Sequence, residues 1–173
     1  MMIKKIALAL GVFILLGGFI YPWFWPGKAL AVDKADKVLV VKSKRLLFLM
    51  RDGEILKIYK VALGKQPEGH KISAGDQKTP EGNYILDSRN PDSKFHLSIH
   101  ISYPNESDML RAQKSRASFG GEIMIHGLPH DLESIGKFHR IWDWTDGCIA
   151  VTNSEIEEIW RLVPDGTPVE IKP

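Results

Sequence analysis

The pattern of apolar and polar positions divides the chain into one long N-terminal apolar run and a series of short runs after it. Residues 6–21 carry no charge. From residue 38 onward, apolar stretches are short and are separated by polar turns, which is typical of strands. Asp52-Gly53, between apolar runs at 45–50 and 55–63, is a strong signal for a hairpin turn.

The remaining runs predict a mostly β domain over residues 38–173, with two or three short helices. Phe95–Tyr103 alternates apolar with polar positions, so one face of this strand is expected on the core. Thr152–Glu155 resembles a capping box, and the apolar residues behind it fall at helical spacing. Further strands are predicted at 38–41, 83–87, 123–125, 147–151 and 167–171, and a helix at 105–114.

The N-terminal segment, residues 1–31, has the pattern of an export signal. Lys4-Lys5 precedes the apolar run, and Ala29-Leu30-Ala31 supplies the small residues of a cleavage site. A retained inner-membrane anchor is the second interpretation, because residues 6–27 are uncharged and about long enough to span a bilayer. We favour the anchor. In both cases residues 32–37 form a polar linker, and the domain after it is exported to the periplasmic or cell-envelope face.

Composition narrows the range of functions. A hydrophobic content of 44% and a charged content of 25% are those of a globular protein. The formal net charge of +2 leaves no strongly basic surface, so we expect no binding of nucleic acid. The chain has a single cysteine, Cys148, and an internal disulfide is therefore excluded.

Cys148 has two interpretations that the residues alone leave open. It is either a small core side chain or a nucleophile activated by a nearby base. Gly147 leaves room for a substrate backbone, and the amides of Gly147 and Cys148 are candidates to stabilise an oxyanion. Asp146 would oppose thiolate formation if it shared a strand face with Cys148. We therefore expect an irregular chain at Gly147, with Asp146 turned away from the sulfur.

His126 is the best placed of the six histidines to serve as that base. It ends a predicted buried strand, which is a rigid position for a catalytic group. A hydrogen-bonded histidine at a strand edge is the alternative. A metal site is disfavoured, because His96 and His100 on one strand would lie about 13 Å apart, and there is no second cysteine. We expect neither a metal nor a cofactor.

Three aromatic residues, Phe138, Trp142 and Trp144, lie shortly before the cysteine. Their rings are candidates for a substrate wall or lid. Packing of the loop onto the domain is the alternative, and the sequence leaves both open.

The pairing of His126-Gly127 with Thr145-Asp146-Gly147-Cys148 resembles the signature of the L,D-transpeptidases, the YkuD-type catalytic domain of bacterial cell-wall enzymes. The resemblance covers roughly Val38–Ile171 and implies a single YkuD-like β-sandwich domain. Three more segments are similar to those of the family: Gly75–Gly82, Tyr103-Pro104-Asn105 and Pro164–Thr167.

The resemblance implies a peptidoglycan L,D-transpeptidase. Cys148 would attack the carbonyl of the third residue, usually diaminopimelate, of a tetrapeptide stem, and the terminal D-alanine would leave. An amine of a second stem, an amine of a lipoprotein lysine, or water would then take the acyl group from the thioester. His126 would be the general base, with the Gly127 carbonyl orienting its ring. The expected substrate and oxyanion contacts are Gly147, Thr145, Trp144, Trp142 and Tyr103.

The sequence departs from the family pattern in three places. Ala150 stands where arginine is frequent, Thr145 replaces the commoner serine, and the spacer before the cysteine is longer, with 139–144 as the insertion. Hydrolysis at the same site and a non-catalytic wall-binding module are the alternative functions.

Overall fold

The structure, a computed structural model, describes residues 34–173. Eight strands and two α-helices follow one another in this part of the chain. The strands are β1 (Lys37–Val41), β2 (Leu46–Arg51), β3 (Glu54–Lys60), β4 (Gly82–Ser93), β5 (His96–Ile101), β6 (Met124–His126), β7 (Ile149–Ala150) and β8 (Thr167–Lys172). The α-helices are α1 (Glu106–Lys114) and α2 (Asn153–Leu162), and 3₁₀ turns occupy Lys42–Lys44 and His130–Ile141.

All eight strands belong to one sheet with the order β3-β2-β1-β8-β4-β5-β6-β7. Its pairings are antiparallel except for β1 with β8 and β6 with β7. The Asp52-Gly53 turn joins β2 to β3 with φ values of 51° and 83°. Two successive positive φ angles are what a tight two-residue hairpin requires, and this confirms the hairpin prediction.

The sheet curls until its two ends meet. Ala62, just after β3, forms an antiparallel bridge with Ala150 of β7, and Gly64 forms a parallel bridge with Thr145. The Ala62 and Ala150 backbones exchange hydrogen bonds of 3.0 and 2.9 Å. The chain that leaves one edge of the sheet therefore borders the segment that carries Cys148 at the other edge.

The core is filled by the inward positions of these strands and by one face of α2. Ile156 and Ile159 of α2 are completely buried, as are Ile125 of β6 and Ile149 of β7. The predicted capping box is present at the start of this helix, where Thr152 N donates to Glu155 Oε2 at 2.9 Å. Burial of the apolar side chains holds α2 against β5 and β6.

The mostly β fold with short helices is confirmed, while two strands differ in extent from the prediction. β4 continues past Asp87 to Ser93 because it pairs with β5, although its polar sequence there has no apolar alternation. The predicted strand at 147–151 is reduced to the two residues of β7, because the chain before Ile149 turns.

The predicted export segment and anchor, residues 1–31, lie outside the described residues. Neither α-helix within residues 34–173 has the length and apolar character to cross a bilayer.

Candidate active site

Two neighbouring parallel strands bring His126 and Cys148 together. In the register of β6 and β7, Ile125 lies opposite Ile149 and His126 lies opposite Ala150. Cys148 therefore precedes the partner of His126 by two residues, and ordinary sheet spacing puts the two Cα atoms roughly 8 Å apart. Both side chains line one cavity of about 420 Å³.

The ring of His126 is held by a hydrogen bond to the backbone of the next residue, Gly127. His126 Nδ1 lies 2.7 Å from the carbonyl oxygen of Gly127. Because a carbonyl can only accept, Nδ1 must carry the proton, which leaves the lone pair of the neutral ring on Nε2. The Gly127 carbonyl thus contacts the ring, as the resemblance implies. The resulting tautomer leaves Nε2 of His126 able to accept a proton.

Burial keeps His126 neutral. Only 1% of the residue is exposed, and this desolvation lowers its pKa to about 4, although the hydrogen bond to Gly127 opposes the shift. Phe95 stacks on the ring with a centroid separation of 4.3 Å, and Trp144 meets it edge-on at 5.8 Å. At neutral pH the imidazole is therefore uncharged and able to accept a proton.

Only glycine fits at position 127, because neighbouring atoms leave no room for a side chain. A Cβ at this position would lie 2.7 Å from Asn153 Oδ1 and 2.9 Å from the carbonyl oxygen of Phe95. The same Asn153 oxygen accepts a 2.7 Å hydrogen bond from Leu128 N. The chain after His126 is thus pinned to the start of α2, which fixes the carbonyl that orients the ring.

The turn before Cys148 is built around the buried hydroxyl of Thr145. Thr145 Oγ1 accepts from Gly147 N at 3.1 Å and donates to the carbonyl oxygen of Cys148 at 2.7 Å. Gly147 has a φ of 134°, and a Cβ there would lie 2.6 Å from the carbonyl oxygen of Lys78. Only glycine fits this conformation and this space, so the turn is irregular as the sequence analysis expected.

The hydrogen bonds of this turn change the roles expected for Thr145 and Gly147. Thr145 is 4% exposed and its hydroxyl serves the turn, so it positions the cysteine. The Gly147 amide is engaged by that hydroxyl, and this leaves the amide of Cys148 as the candidate from this pair to face an oxyanion.

Cys148 sits partly buried at the base of the cavity. Its Sγ donates to the carbonyl oxygen of Glu122 at 3.4 Å. Burial raises the pKa of the thiol, a backbone hydrogen bond from Met124 and the charge of Lys71 lower it, and Asp146 and Glu122 raise it. The resting pair is thus a protonated thiol beside a neutral imidazole.

The carboxylate of Asp146 forms a salt bridge on the protein surface. Its Oδ1 lies 2.9 Å from Lys65 Nζ, and 78% of its side chain is exposed. Solvent and the lysine screen its charge, although it still lines the cavity beside Cys148 and acts to raise the pKa of the thiol.

The structure brings only some of the predicted substrate contacts to the cavity. Trp144 and Thr145 line it together with His126 and Cys148. Trp142 is 52% exposed and does not belong to the lining, while Tyr103 is a core residue whose hydroxyl donates to the carbonyl oxygen of Lys71 at 3.3 Å. Tyr103 therefore supports the loop that carries Lys71.

Sequence reasoning missed other residues of the site. Phe95 was expected on the core face of β5, but His96 has a φ of 71°, which breaks the alternation and turns Phe95 onto His126. His139 is fully buried, and its Nδ1 accepts from Trp144 Nε1 at 3.4 Å. These contacts depend on tertiary structure, and neither has a signal in the spacing of the sequence.

Within residues 34–173, no group of three or more histidine, cysteine, aspartate or glutamate side chains is arranged to hold an ion.

Comparisons with known proteins agree with this architecture. The family model described as YkuD, the L,D-transpeptidase catalytic domain, matches residues 35–171. YafK of Escherichia coli (strain K12), a proposed L,D-transpeptidase, is 33% identical over 132 residues, which cover 73% of this chain and 46% of YafK. The chain therefore spans less than half the length of this relative.

Solved structures of similar fold include two proteins of interest. The helical cell shape determining protein Pgp2 of Campylobacter jejuni has a TM-score of 0.59 and 28% identity, covering 82% of this chain and 49% of Pgp2. An L,D-transpeptidase of Xylanimonas cellulosilytica has a TM-score of 0.51 and 16% identity, covering 80% and 61% respectively, and supports the fold alone. On the family match and the YafK identity, this chain belongs to the YkuD family of L,D-transpeptidase catalytic domains.

Proposed function

We propose that the chain is a cysteine L,D-transpeptidase of peptidoglycan. Cys148 attacks the carbonyl between diaminopimelate and the terminal D-alanine of a tetrapeptide stem, and His126 is the base. The observation that carries the proposal is the Nδ1 to carbonyl contact of 2.7 Å, because it leaves Nε2 of a neutral ring free to take a proton in the cavity shared with Cys148.

The reaction proceeds in two acyl transfers. As the Cys148 sulfur bonds to the carbonyl carbon, the thiol proton passes to Nε2 of His126, and the Cys148 amide stabilises the developing oxyanion. The protonated imidazole then gives its proton to the departing amine of D-alanine, which leaves a thioester. An incoming amine attacks this thioester, His126 accepts its proton, and the sulfur departs to be protonated again.

The low pKa of His126 suits this cycle. An imidazole with a pKa of about 4 stays neutral at neutral pH and returns its proton readily to the leaving amine. The buried stack with Phe95 and Trp144 excludes water from one side of the ring. The proposal therefore assigns proton transfer to His126 without a carboxylate partner.

Product analysis tests the proposal directly. The protein is incubated with a disaccharide-tetrapeptide, and the products are analysed by mass spectrometry. Cross-linked dimers with release of D-alanine are expected, and Cys148→Ala is expected to abolish all turnover. An active Cys148→Ala variant would exclude the proposed nucleophile and favour a non-catalytic wall-binding module.

Hydrolysis at the same site is the second outcome of this experiment. If water reaches the thioester before an amine does, the product is the tripeptide alone, and the activity is that of an L,D-carboxypeptidase. The cell shape role stated for Pgp2 makes a similar role a reasonable proposal here, whichever acceptor is used. Peptidoglycan stems are the proposed partner, and a lipoprotein amine is a further acceptor to include in the assay.

A further inference from the structure

A second cavity, of about 290 Å³, reaches Cys148 and is lined by a buried lysine. Lys71, Gly120 and Cys148 all line it. The Lys71 residue is only 3% exposed. A Cβ on Gly120 would lie 2.7 Å from Lys71 Cε and 3.4 Å from Nζ, so the absence of a side chain at Gly120 makes room for the lysine.

The Lys71 ammonium is held in place by a network within its own loop. Its Nζ donates to Asp76 Oδ1 at 2.7 Å and to the carbonyl oxygen of Ser73 at 3.2 Å. Asp76 in turn accepts from the amides of Ile72, Ser73 and Lys78 at 2.8, 3.0 and 3.1 Å. A buried ion pair usually stabilises a fold no better than apolar side chains of similar size. Because Lys71 lines a cavity with Cys148, its ion pair with Asp76 points to a role beyond stability.

Lys71 is the buried cation among the charged groups that face Cys148. Lys94 lines the first cavity but is exposed, with its Nζ 5.3 Å from the centroid of the Phe95 ring. Glu122 and Asp146 are carboxylates, and both oppose a thiolate. The titratable groups that line the two cavities with Cys148 are Lys71, Lys94, Glu122, Asp146 and His126.

His126 does not supply a positive charge to the resting thiol, because its ring is neutral at neutral pH. The charge of Lys71 lowers the pKa of Cys148 against the effect of burial. Lys71 is buried, and a buried charge is screened less by solvent than an exposed one. Lys71 therefore lines a cavity with Cys148, and its charge acts in the direction that favours the thiolate.

We propose that Lys71 is a positioning residue for the nucleophile: its buried ammonium provides the positive potential that favours the thiolate of Cys148 in the cavity that the two side chains share. The inference rests on the proposed function only in taking Cys148 as the nucleophile. No bond to Lys71 forms or breaks.

The test measures thiol reactivity, which needs no peptidoglycan. The rate of alkylation of Cys148 by iodoacetamide is followed from pH 6 to pH 10 in the wild type and in Lys71→Met. We expect the pH midpoint to rise by about one unit, so that alkylation near neutral pH slows about tenfold, in proportion to the thiolate fraction. A Lys71→Met protein that is folded and alkylated at the wild-type rate at every pH would overturn the proposal.

Lys42→Met is the matched control. Lys42 is also a buried lysine, bound to Glu81 Oε1 at 2.8 Å, but it lines a different cavity that does not include Cys148. Its loss is expected to leave the alkylation midpoint unchanged, and an equal shift in both variants would indicate a general effect on the fold. Urea unfolding establishes that each variant is folded.

A second variant tests the effect of the Lys71 charge if Lys71→Met does not fold. Asp76→Asn removes the carboxylate that partly offsets the charge of Lys71. Alkylation near neutral pH should therefore become roughly threefold faster, and an unchanged or slower rate contradicts the proposal. If alkylation responds as expected but the stem peptide is not turned over, Lys71 keeps its role and the proposed function fails instead.

Discussion

Replacement of Thr145 by valine removes the hydroxyl group at the centre of the nucleophile turn while keeping the size of the side chain. The hydroxyl joins the amide of Gly147 to the carbonyl of Cys148 through bonds of 3.1 and 2.7 Å. The backbone of Thr145 is held independently, because its N and O atoms bond to Leu63 and Lys65. The variant therefore tests the turn without removing its attachment to the sheet.

The magnitude follows from the two backbone groups that lose their partner. A buried donor or acceptor left unsatisfied costs about 1–3 kcal/mol. Gly147 is buried, so its amide carries the full cost, while the carbonyl of the half-buried Cys148 recovers part of its cost from solvent. We expect a loss of about 2–4 kcal/mol in the free energy of unfolding. A shift of the sulfur by about 1 Å would also lower kcat on the order of 100-fold.

Urea unfolding and steady-state turnover of a stem tetrapeptide measure the two effects. Thr145→Ser is the matched control, since it retains the hydroxyl and loses only a methyl group, and it should keep both bonds and most of the activity. If Thr145→Val unfolds within about 0.5 kcal/mol of the wild type and turns over normally, the hydroxyl does not hold the turn and the reasoning fails.

Three further predictions concern the catalytic pair and its surroundings. His126→Asn should lower kcat by about 100- to 10,000-fold with little change in KM, because a proton acceptor is lost; steady-state kinetics check this, and an unaltered kcat refutes the role. Gly147→Ala should lose about 2–4 kcal/mol in urea unfolding, since it adds a strained φ of 134° to a contact of 2.6 Å with Lys78. Stability should also fall between pH 6.5 and pH 4, because burial lowers the pKa values of His126 and His139 from 6.5 to about 4, so the unfolded chain binds protons first. Each histidine contributes about 3 kcal/mol above that window; equal unfolding free energies at pH 7 and pH 4.5 would contradict this.

The sequence predicts those parts of the fold that depend on local chemistry. The Asp52-Gly53 hairpin follows from two residues that tolerate positive φ, and the start of α2 follows from the capping box at Thr152. The extension of β4 to Ser93 was not predicted, because polar residues form a strand there only when β5 is present to pair with them. A strand that depends on its pairing partner is not encoded by its own pattern of apolar and polar residues.

The site shows the same division between local and tertiary causes. His126 and Cys148 were singled out because the sequence motif contains them, and the structure places both in one cavity. The stack of Phe95 on His126 was not, since it depends on a positive φ at His96, a non-glycine residue for which a strand pattern predicts the opposite sign. Lys71 was passed over because a lysine in a polar loop is normally exposed.

Ala150, the departure from the arginine that the family often has, fits the electrostatics of this site. It is completely buried, lies opposite His126 in the parallel register, and exchanges two backbone hydrogen bonds with Ala62. Residues opposite each other share a face of the sheet, so a guanidinium here would run beside the imidazole in a space closed by neighbouring backbone. Such a buried charge would need a partner. The small side chain therefore lets the strands close over His126, whose burial keeps the ring neutral, and the buried lysine that lines a cavity with Cys148 is Lys71.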